Sequence, residues 1–443
     1  MLGTMDEPRQ PPRHPVLHRG TNSARVGTLN RALVLDVVRR HGPVSRSGVA
    51  AATGLTAQTV SNIATRLLRE GLLREGQRHD GSVDAPPGGV APADAPPGDA
   101  PPGDQGRLLR IAADARSAVG LHLDPAHLVA VLVDLAGTVL ATEHRDTDPL
   151  HGPAEVLDAM AAMTARLTRE RPGAGALAGI GLAAPGPLDP ARAALADPVQ
   201  LPGWAGLPVA DELRRRTGVP VVLEKDGVAA GIGEAWTTTN ATGLVTVTLG
   251  HGISATVVAG GEVVRGATGN AGEFGGMPVR AHGRWTAVWE ACQPLQQVER
   301  AIAAGTLPAD TPTALPGDVR SAYEALCAAP DGRGLVTAGG AALGEALAHV
   351  VELLDVTEVV LGGSAAIAGG PVFLQAVRAG LVERLPGAPR VTVEPTAHGE
   401  AAVARGAACA VLATALDSTP VTPLPARSAV GRGPRARSIA HPW

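Results

Sequence analysis

GPVSRSGVAAATGLTAQTVSNIATRLLREGLLREG, residues 42–76, decides how the start of this chain is read. Gly42-Pro43 ends any helix arriving from upstream, because proline has no N–H to donate and its ring clashes with the preceding turn. Before that stop, Leu29, Leu33 and Val37 recur at helical spacing between Thr28 and Arg40, which predicts a first helix with those three on one face. Ser45 is placed to N-cap a short second helix holding Val49 and Ala50. Gly54 makes the next turn and Thr56 can cap a third helix. In it Val60, Ile63, Ala64, Leu67 and Leu68 form one apolar stripe. Gly71 terminates it, and Leu72-Leu73-Arg74 starts a strand. The opposite face of the third helix carries Thr56, Gln58, Thr59, Ser61, Asn62 and Arg66. A helical bundle or dimerisation module could use the same stripe, but a polar face with almost no acid is suited to hydrogen-bonding base edges.

This stretch resembles the winged helix-turn-helix of bacterial repressors. The resemblance implies that the third helix enters the major groove of a double-stranded DNA operator, led by its N-terminal residues. Gln58 and Asn62 can then read adenine, while Arg46, at the start of the second helix, and Arg66 are placed for phosphates. A strand at about 72–76 and another at about 107–111 (RLLRI) would form the wing. Between them, residues 77–105 contain APPG at Ala85, Ala95 and Ala100 and show no apolar periodicity, so an extended insert at the wing tip is expected. The expected DNA-binding unit is therefore 28–112.

Charge is distributed unevenly. The chain of 443 residues has a net charge of −4, yet residues 1–76 hold 11 Arg against 5 Asp and Glu, or +6, leaving −10 for the remainder. Such asymmetry suits a basic nucleic-acid-binding head on an acidic body. Cys292, Cys327 and Cys409 stand far apart, so neither a disulfide framework nor a cysteine-rich zinc site is indicated. The N-terminus lacks the apolar core of a signal peptide, and no apolar run approaches 18 residues without charge, Gly or Pro. A soluble, cytoplasmic protein with no membrane partner is expected. Residues 1–27 and 417–443 are Pro-rich and basic and are expected to be disordered; the tail could add nonspecific phosphate contacts.

From Arg107 to about Leu416 the pattern is that of an α/β fold. AVGLHLDPAHLVAVLVDLAGTVLA suggests two strands around a turn and a third after Ala136-Gly137. A helix is expected over about 153–170. AGIGLAAPGPLD and VPVVLEKD read as strands, LVTVTLGHGISATVVAGGEVVRG as a β-hairpin, and VTEVVLGGSAAIAGG as a strand entering a Gly-rich turn. The segments GIGLAAPGPLD, LPGWAGLPVADELRRRTGVPVVLEKDGVAAGIGEAW, GATGNAGEFGGMPV and VVLGGSAAIAGG, in this order, resemble the ROK family of repressors, open reading frames and sugar kinases. The resemblance covers nearly the whole chain outside the tails and the insert. It implies an actin-like, ribonuclease-H-like body over 113–416, with two lobes around a sugar cleft. Lobe I would span about 113–236 plus a C-terminal helix at about 399–416, and lobe II about 237–398. Repressors of the family carry a DNA-binding head; its kinases do not.

Set beside the family's kinases, this chain departs at the phosphate turns. Their Asp-x-Gly-Gly-Thr turn corresponds to His122-Leu123-Asp124-Pro125-Ala126, where Pro removes a donor N–H and Asp124 repels phosphate. Their Gly-Thr-Gly turn reads Gly250-His251-Gly252. Only Gly362-Gly363, like the adenosine loop, survives, and a plain strand-to-helix turn explains it as well. Phosphoryl transfer is mostly phosphate positioning, so catalysis is not expected. Asp226 matches the kinases' catalytic base; its expected remaining role is to accept a hydrogen bond from a sugar hydroxyl. The family's flanking Asn residues are Lys225 and Val228 here, and Lys225 can simply pair with Asp226 or Glu224. The family's Glu-x-Gly-His reads Glu273-Phe274-Gly275-Gly276, so Glu remains and the zinc-binding His is absent. Cys292 lies beyond the former zinc loop and His282 has no partners, so no metal or cofactor is implied.

Glu290 matches a second sugar-binding Glu. Together Asp226, Glu273 and Glu290 would make an acceptor-rich cleft for vicinal hydroxyls of a small sugar-like effector, with Trp204 and Trp289 as candidate apolar walls. The expected function is a sugar-responsive DNA-binding regulator, acting as a repressor in a homodimer or higher homo-oligomer. A sugar kinase with an accessory head and a regulator that binds no ligand stand as alternatives.

Overall fold

A computed structural model of the protein describes residues 23–77, 107–147, 152–171, 173–238, 243–281, 283–385 and 391–416. Most of the N-terminal arm, the Pro/Gly-rich insert, the C-terminal tail and His282 lie outside the described residues.

The head begins with α1 (Ser23–His41), followed by α2 (Arg46–Thr53) and α3 (Ala57–Arg69). The Ser45 hydroxyl caps α2 by accepting from the Gly48 N–H at 3.0 Å. Gly54 then turns the chain at φ +69°, a left-handed conformation that glycine adopts without steric cost. Thr56 caps α3, accepting from the Thr59 N–H at 3.2 Å. Leu73–Gln77 and Arg107–Ile111 pair antiparallel, Leu73 opposite Ile111, as the two sides of a wing, and Val44–Ser45 adds a third strand.

The first helix differs from the sequence expectation. It starts at Ser23 rather than Thr28, and it buries Val34, Leu35 and Val38, while Leu29 and Leu33 are 54% and 46% exposed. The reason is tertiary. Val34, Leu35 and Val38 join Val60, Leu67 and Leu109 of the head to Val129, Val131, Trp236 and Leu412 in one continuous buried cluster. The C-terminal half of α1 thus serves two surfaces at once, which no single-stripe pattern anticipates.

Two five-stranded sheets build the rest. In the first, the meander Arg116–Leu123, His127–Asp134, Val139–Asp146 is extended by Ala176–Ala184 and Val221–Lys225, both running parallel to the first strand. In the second, Gly243–Leu249, Ile253–Ala259 and Glu262–Val263 form the meander, and Glu358–Gly362 and Thr392–Pro395 add in parallel. Numbered along the chain within each sheet, both run 3-2-1-4-5, so one unit occurs twice. Each sheet has its own core, the first around Leu121, Met160 and Leu182, the second around Val245, Leu343 and Phe373.

Two helices lie between the sheets: the cleft helix Asp226–Thr237 and the closing helix Ala402–Leu416. The closing helix sits directly on the first sheet because glycines face it. A Cβ at Gly120 would lie 1.8 Å from the Ala404 carbonyl oxygen, and one at Gly181 1.9 Å from that of Ala407. The segments Pro330–Leu354, Ser364–Arg384 and Gly399–Leu416 are long and apolar enough to cross a membrane by length and composition alone, a property the sequence expectation missed. Val336, Leu343, Phe373, Val377, Ala404 and Leu412 within them belong to the buried clusters.

Because head and first lobe share a core, the Trp236→Ala variant should lose about 3–5 kcal/mol. Urea denaturation followed by circular dichroism should show head and lobe melting together in both proteins. A head that unfolds in a separate, earlier transition would contradict the shared core.

Candidate functional site

The exposed face of α3 presents Thr56, Gln58, Asn62 and Arg66 to solvent, with Thr59 and Ser61 half-buried. Gln58 and Asn62 lie one turn apart and bond to each other, Gln58 Nε2 donating to Asn62 Oδ1 at 3.0 Å. Both amides are therefore aligned along the exposed line of the helix. Arg66 has no acidic partner among the described residues. Arg46 is placed differently from the expectation. It donates to Ser61 Oγ at 3.0 Å and to Glu75 Oε1 at 2.6 Å, tying the start of α2 to α3 and to the wing. Arg46 and Ser61 thus order the reading head internally, and neither is free for phosphate in this arrangement.

The second candidate site is a cleft of ≈ 500 Å³, open solvent at its mouth included, where the ends of both sheets meet. Asp226 lines it from the N-terminus of the cleft helix, its Oδ1 accepting from the Gly227 N–H at 2.6 Å. Burial, opposed by the Lys225 ammonium, raises its carboxyl to about 6. Across from it stand the turns at 122–126 and 250–252. Asp124 shapes the first, its N–H donating to the His127 carbonyl at 3.0 Å and its Oδ1 accepting from the Ala126 N–H at 2.8 Å. His127 Nδ1 lies 3.3 Å from the same oxygen, and the His122 and His127 rings meet edge-on with centroids 6.1 Å apart. Burial works to raise Asp124, but His127, His122 and His251 outweigh it and the carboxyl falls to about 2. Burial in turn lowers His122 to about 4 and lowers His251. A Cβ built on Gly250 would sit 3.4 Å from Asp124 Oδ2 and 3.4 Å from Ser364 Oγ, so the carboxylate projects toward the second of these turns.

The other expected ligands are placed elsewhere. Lys225 pairs with Glu273, not with Asp226 or Glu224; Glu224 pairs with Arg265 instead. Glu290 accepts from Thr286 Oγ1 at 2.5 Å and from Arg284 at 2.8 Å. Neither Glu273 nor Glu290 lines the cleft with Asp226. Glu290 is anchored by local partners, whereas Glu273, drawn to Lys225 beside Asp226, lies close enough to help raise the Asp226 carboxyl. Trp204 is 3% exposed in the core of the first lobe, and Trp289 also lies off the cleft lining. Cys292 is buried in the second core, donating to the Val288 carbonyl. Conversely, His127, Gln200, Thr248, Ser364 and Glu400 do line the cleft and went unrecognised. For His127 a signal existed, since HLDPAH puts two imidazoles and a carboxylate in six residues; the others come from separate elements.

The chain belongs to the ROK family, whose model matches residues 118–414. Residues 28–81 match the model of the MarR family. It is 29% identical to a glucokinase of Halalkalibacterium halodurans over 37% of this chain and 51% of that protein. It is 23% identical to a putative xylose repressor of Caldicellulosiruptor sp. over 58% of this chain and 60% of that one. The chain thus spans about half to three-fifths of these curated relatives. A crystal structure described as a ROK family transcriptional regulator, homolog of the E. coli MLC protein, superposes with a TM-score of 0.62 at 19% identity. That match covers 88% of this chain and 97% of the other and shows that head and body together share its fold.

The raised Asp226 carboxyl makes a pH prediction. A carboxyl raised on folding contributes stability below its unfolded value near 3.8, and that contribution is lost as pH rises through about 6. The melting temperature of Asp226→Asn minus that of the native chain should therefore grow between pH 4 and pH 7 and level off above. Scanning calorimetry giving a pH-independent difference would show that Asp226 titrates normally.

Proposed function

We propose that this chain is a DNA-binding transcriptional repressor controlled by a sugar or sugar-derived effector in a cleft that has lost phosphoryl transfer. One observation carries the reading: an intact reading head shares a buried core with a kinase-type body whose phosphate turn is filled by the Asp124 carboxylate. Catalysis of phosphoryl transfer depends on cradling phosphate, and a fixed negative charge in the cradle opposes it. The names of the repressor relatives point the same way. The reading places the protein in the cytoplasm on a double-stranded operator, as a two-fold dimer, because one short recognition helix reads too few base pairs alone. The domain division is a DNA-binding unit at 28–112 and a sensing body at 113–416.

Contacts between α1 and the body offer a route from cleft to head. The Arg39 guanidinium lies 4.0 Å above the centre of the Trp236 ring, at the end of the helix whose other end bears Asp226. Arg40 donates to the Gly261 carbonyl, at the hairpin of the second sheet, at 3.4 Å. Since α1 touches both lobes, a ligand that binds the open and closed cleft unequally shifts the head as well.

The kinase alternative rests on Asp226, whose carboxyl near 6 suits a general base. A coupled ATP-consumption assay over a panel of sugars separates the two, and no turnover is expected. Gel shifts with the full chain should show a palindromic fragment bound at physiological salt. Gln58→Ala or Asn62→Ala should each cost about 1–3 kcal/mol of operator affinity. Arg66→Ala should weaken all sequences evenly and reduce the salt dependence by about one phosphate contact. Arg40→Ala should keep operator binding but blunt its release by sugar. Absence of any specifically bound fragment would sink the reading.

A further inference from the structure

We infer that the former phosphate end of the cleft is a subsite for uncharged hydroxyl groups, so that the effector is an unphosphorylated saccharide or polyol reaching from Asp226 to His122 and His251. This rests on the cleft being the effector site and adds the chemistry of the ligand.

Three features point there. First, polar groups at this end are buried or half-buried and several are unspent. His122 is 8% and His127 5% exposed, and His127 Nδ1 lacks a hydrogen bond of good geometry. The rings of His122 and His251 and the amide of Gln200 make no side-chain hydrogen bond among the described residues, although all three line the cavity. Buried polar groups left unpaired are costly, and a ligand supplying hydroxyls satisfies them. Second, each carboxylate already has one partner. Asp124 holds the Ala126 N–H and faces His127, Asp226 holds the Gly227 N–H, and Glu400 is bonded to Arg320 at 2.7 Å. Beside them stand imidazoles, an amide and the Thr248 and Ser364 hydroxyls, each able to donate and accept toward a hydroxyl. Third, no Lys or Arg side chain lines this cavity. A phosphoryl group would meet Asp124, and the cation on that side, Arg320, is already paired with Glu400 and Glu324.

Imidazoles here stay neutral at physiological pH, since burial lowers both His122 and His251, so they cannot substitute for a missing cation. The subsite therefore discriminates by charge against phosphorylated ligands, while its several donors and acceptors fix orientation.

Titration calorimetry on the full chain tests this with xylose, glucose, maltose and cellobiose against glucose 6-phosphate, glucosamine and inorganic phosphate. At least one neutral sugar should bind, with the phosphorylated probe at least ten-fold weaker. His122→Asn and His251→Gln should each weaken that sugar about ten-fold, with unliganded melting temperatures close to native. Asp226→Asn reports on the effector site itself. If it weakens the sugar while both histidine variants bind as native, the subsite is overturned and the effector site stands. Tighter binding of glucose 6-phosphate or inorganic phosphate, or binding of glucosamine alone, also overturns the inference. Silence from every probe overturns both the subsite and the effector reading.

Discussion

Arg405 is 1% exposed, and the arrangement of head, cleft and lobes depends on where its guanidinium is held. From the closing helix it donates Nε to the Gly137 carbonyl at 2.7 Å and Nη1 to the Gly233 carbonyl at 2.5 Å. One side chain thus joins the meander of the first sheet, the cleft helix and the chain's last described helix. A buried cation is expensive unless its donors are satisfied, and carbonyls at a turn and a helix end satisfy these without a second buried charge. The Gly137 turn is also tight against the Trp236 ring, where a Cβ would lie 2.4 Å from Cδ1. Trp236 in turn carries Arg39 of the head. The helical head is consequently seated on the helix that bears Asp226.

That seating ties the head to the cleft. Asp124, Pro125 and His251 line a polar cavity at the junction of the lobes. The duplicated 3-2-1-4-5 sheets still meet there. Occupancy at that junction acts on both lobes, and α1 touches both through Trp236 and Gly261.

Much of the architecture was legible in the residues. Ser45, Gly54 and Thr56 act as the caps and turn that their types and spacing indicate. The paired wing strands fell where short apolar runs flanked the Pro/Gly-rich insert. Asp226 was legible as a cleft residue through family resemblance. The partners of Glu273 and Glu290 were not legible: Lys225 next to Asp226 holds the first, and Arg284 and Thr286 hold the second, pairings that a motif match does not record. The reading of α1 failed for a related reason, since periodicity assumes one buried face and α1 has two.

By itself the sequence determined the reading head, because helix caps, turns and apolar stripes act within a few residues of one another. It also set the character of the 122–126 turn, since Pro and Asp alter a turn wherever the chain then goes. Only the tertiary structure decided what gathers around it. Asp124, His127, His251 and Ser364 come from turns up to 240 residues apart, and no local pattern records their convergence. The same holds for Arg39 on Trp236: a cation finds the face of a ring across about 200 residues of chain because two helices pack, and packing is a property of the whole fold.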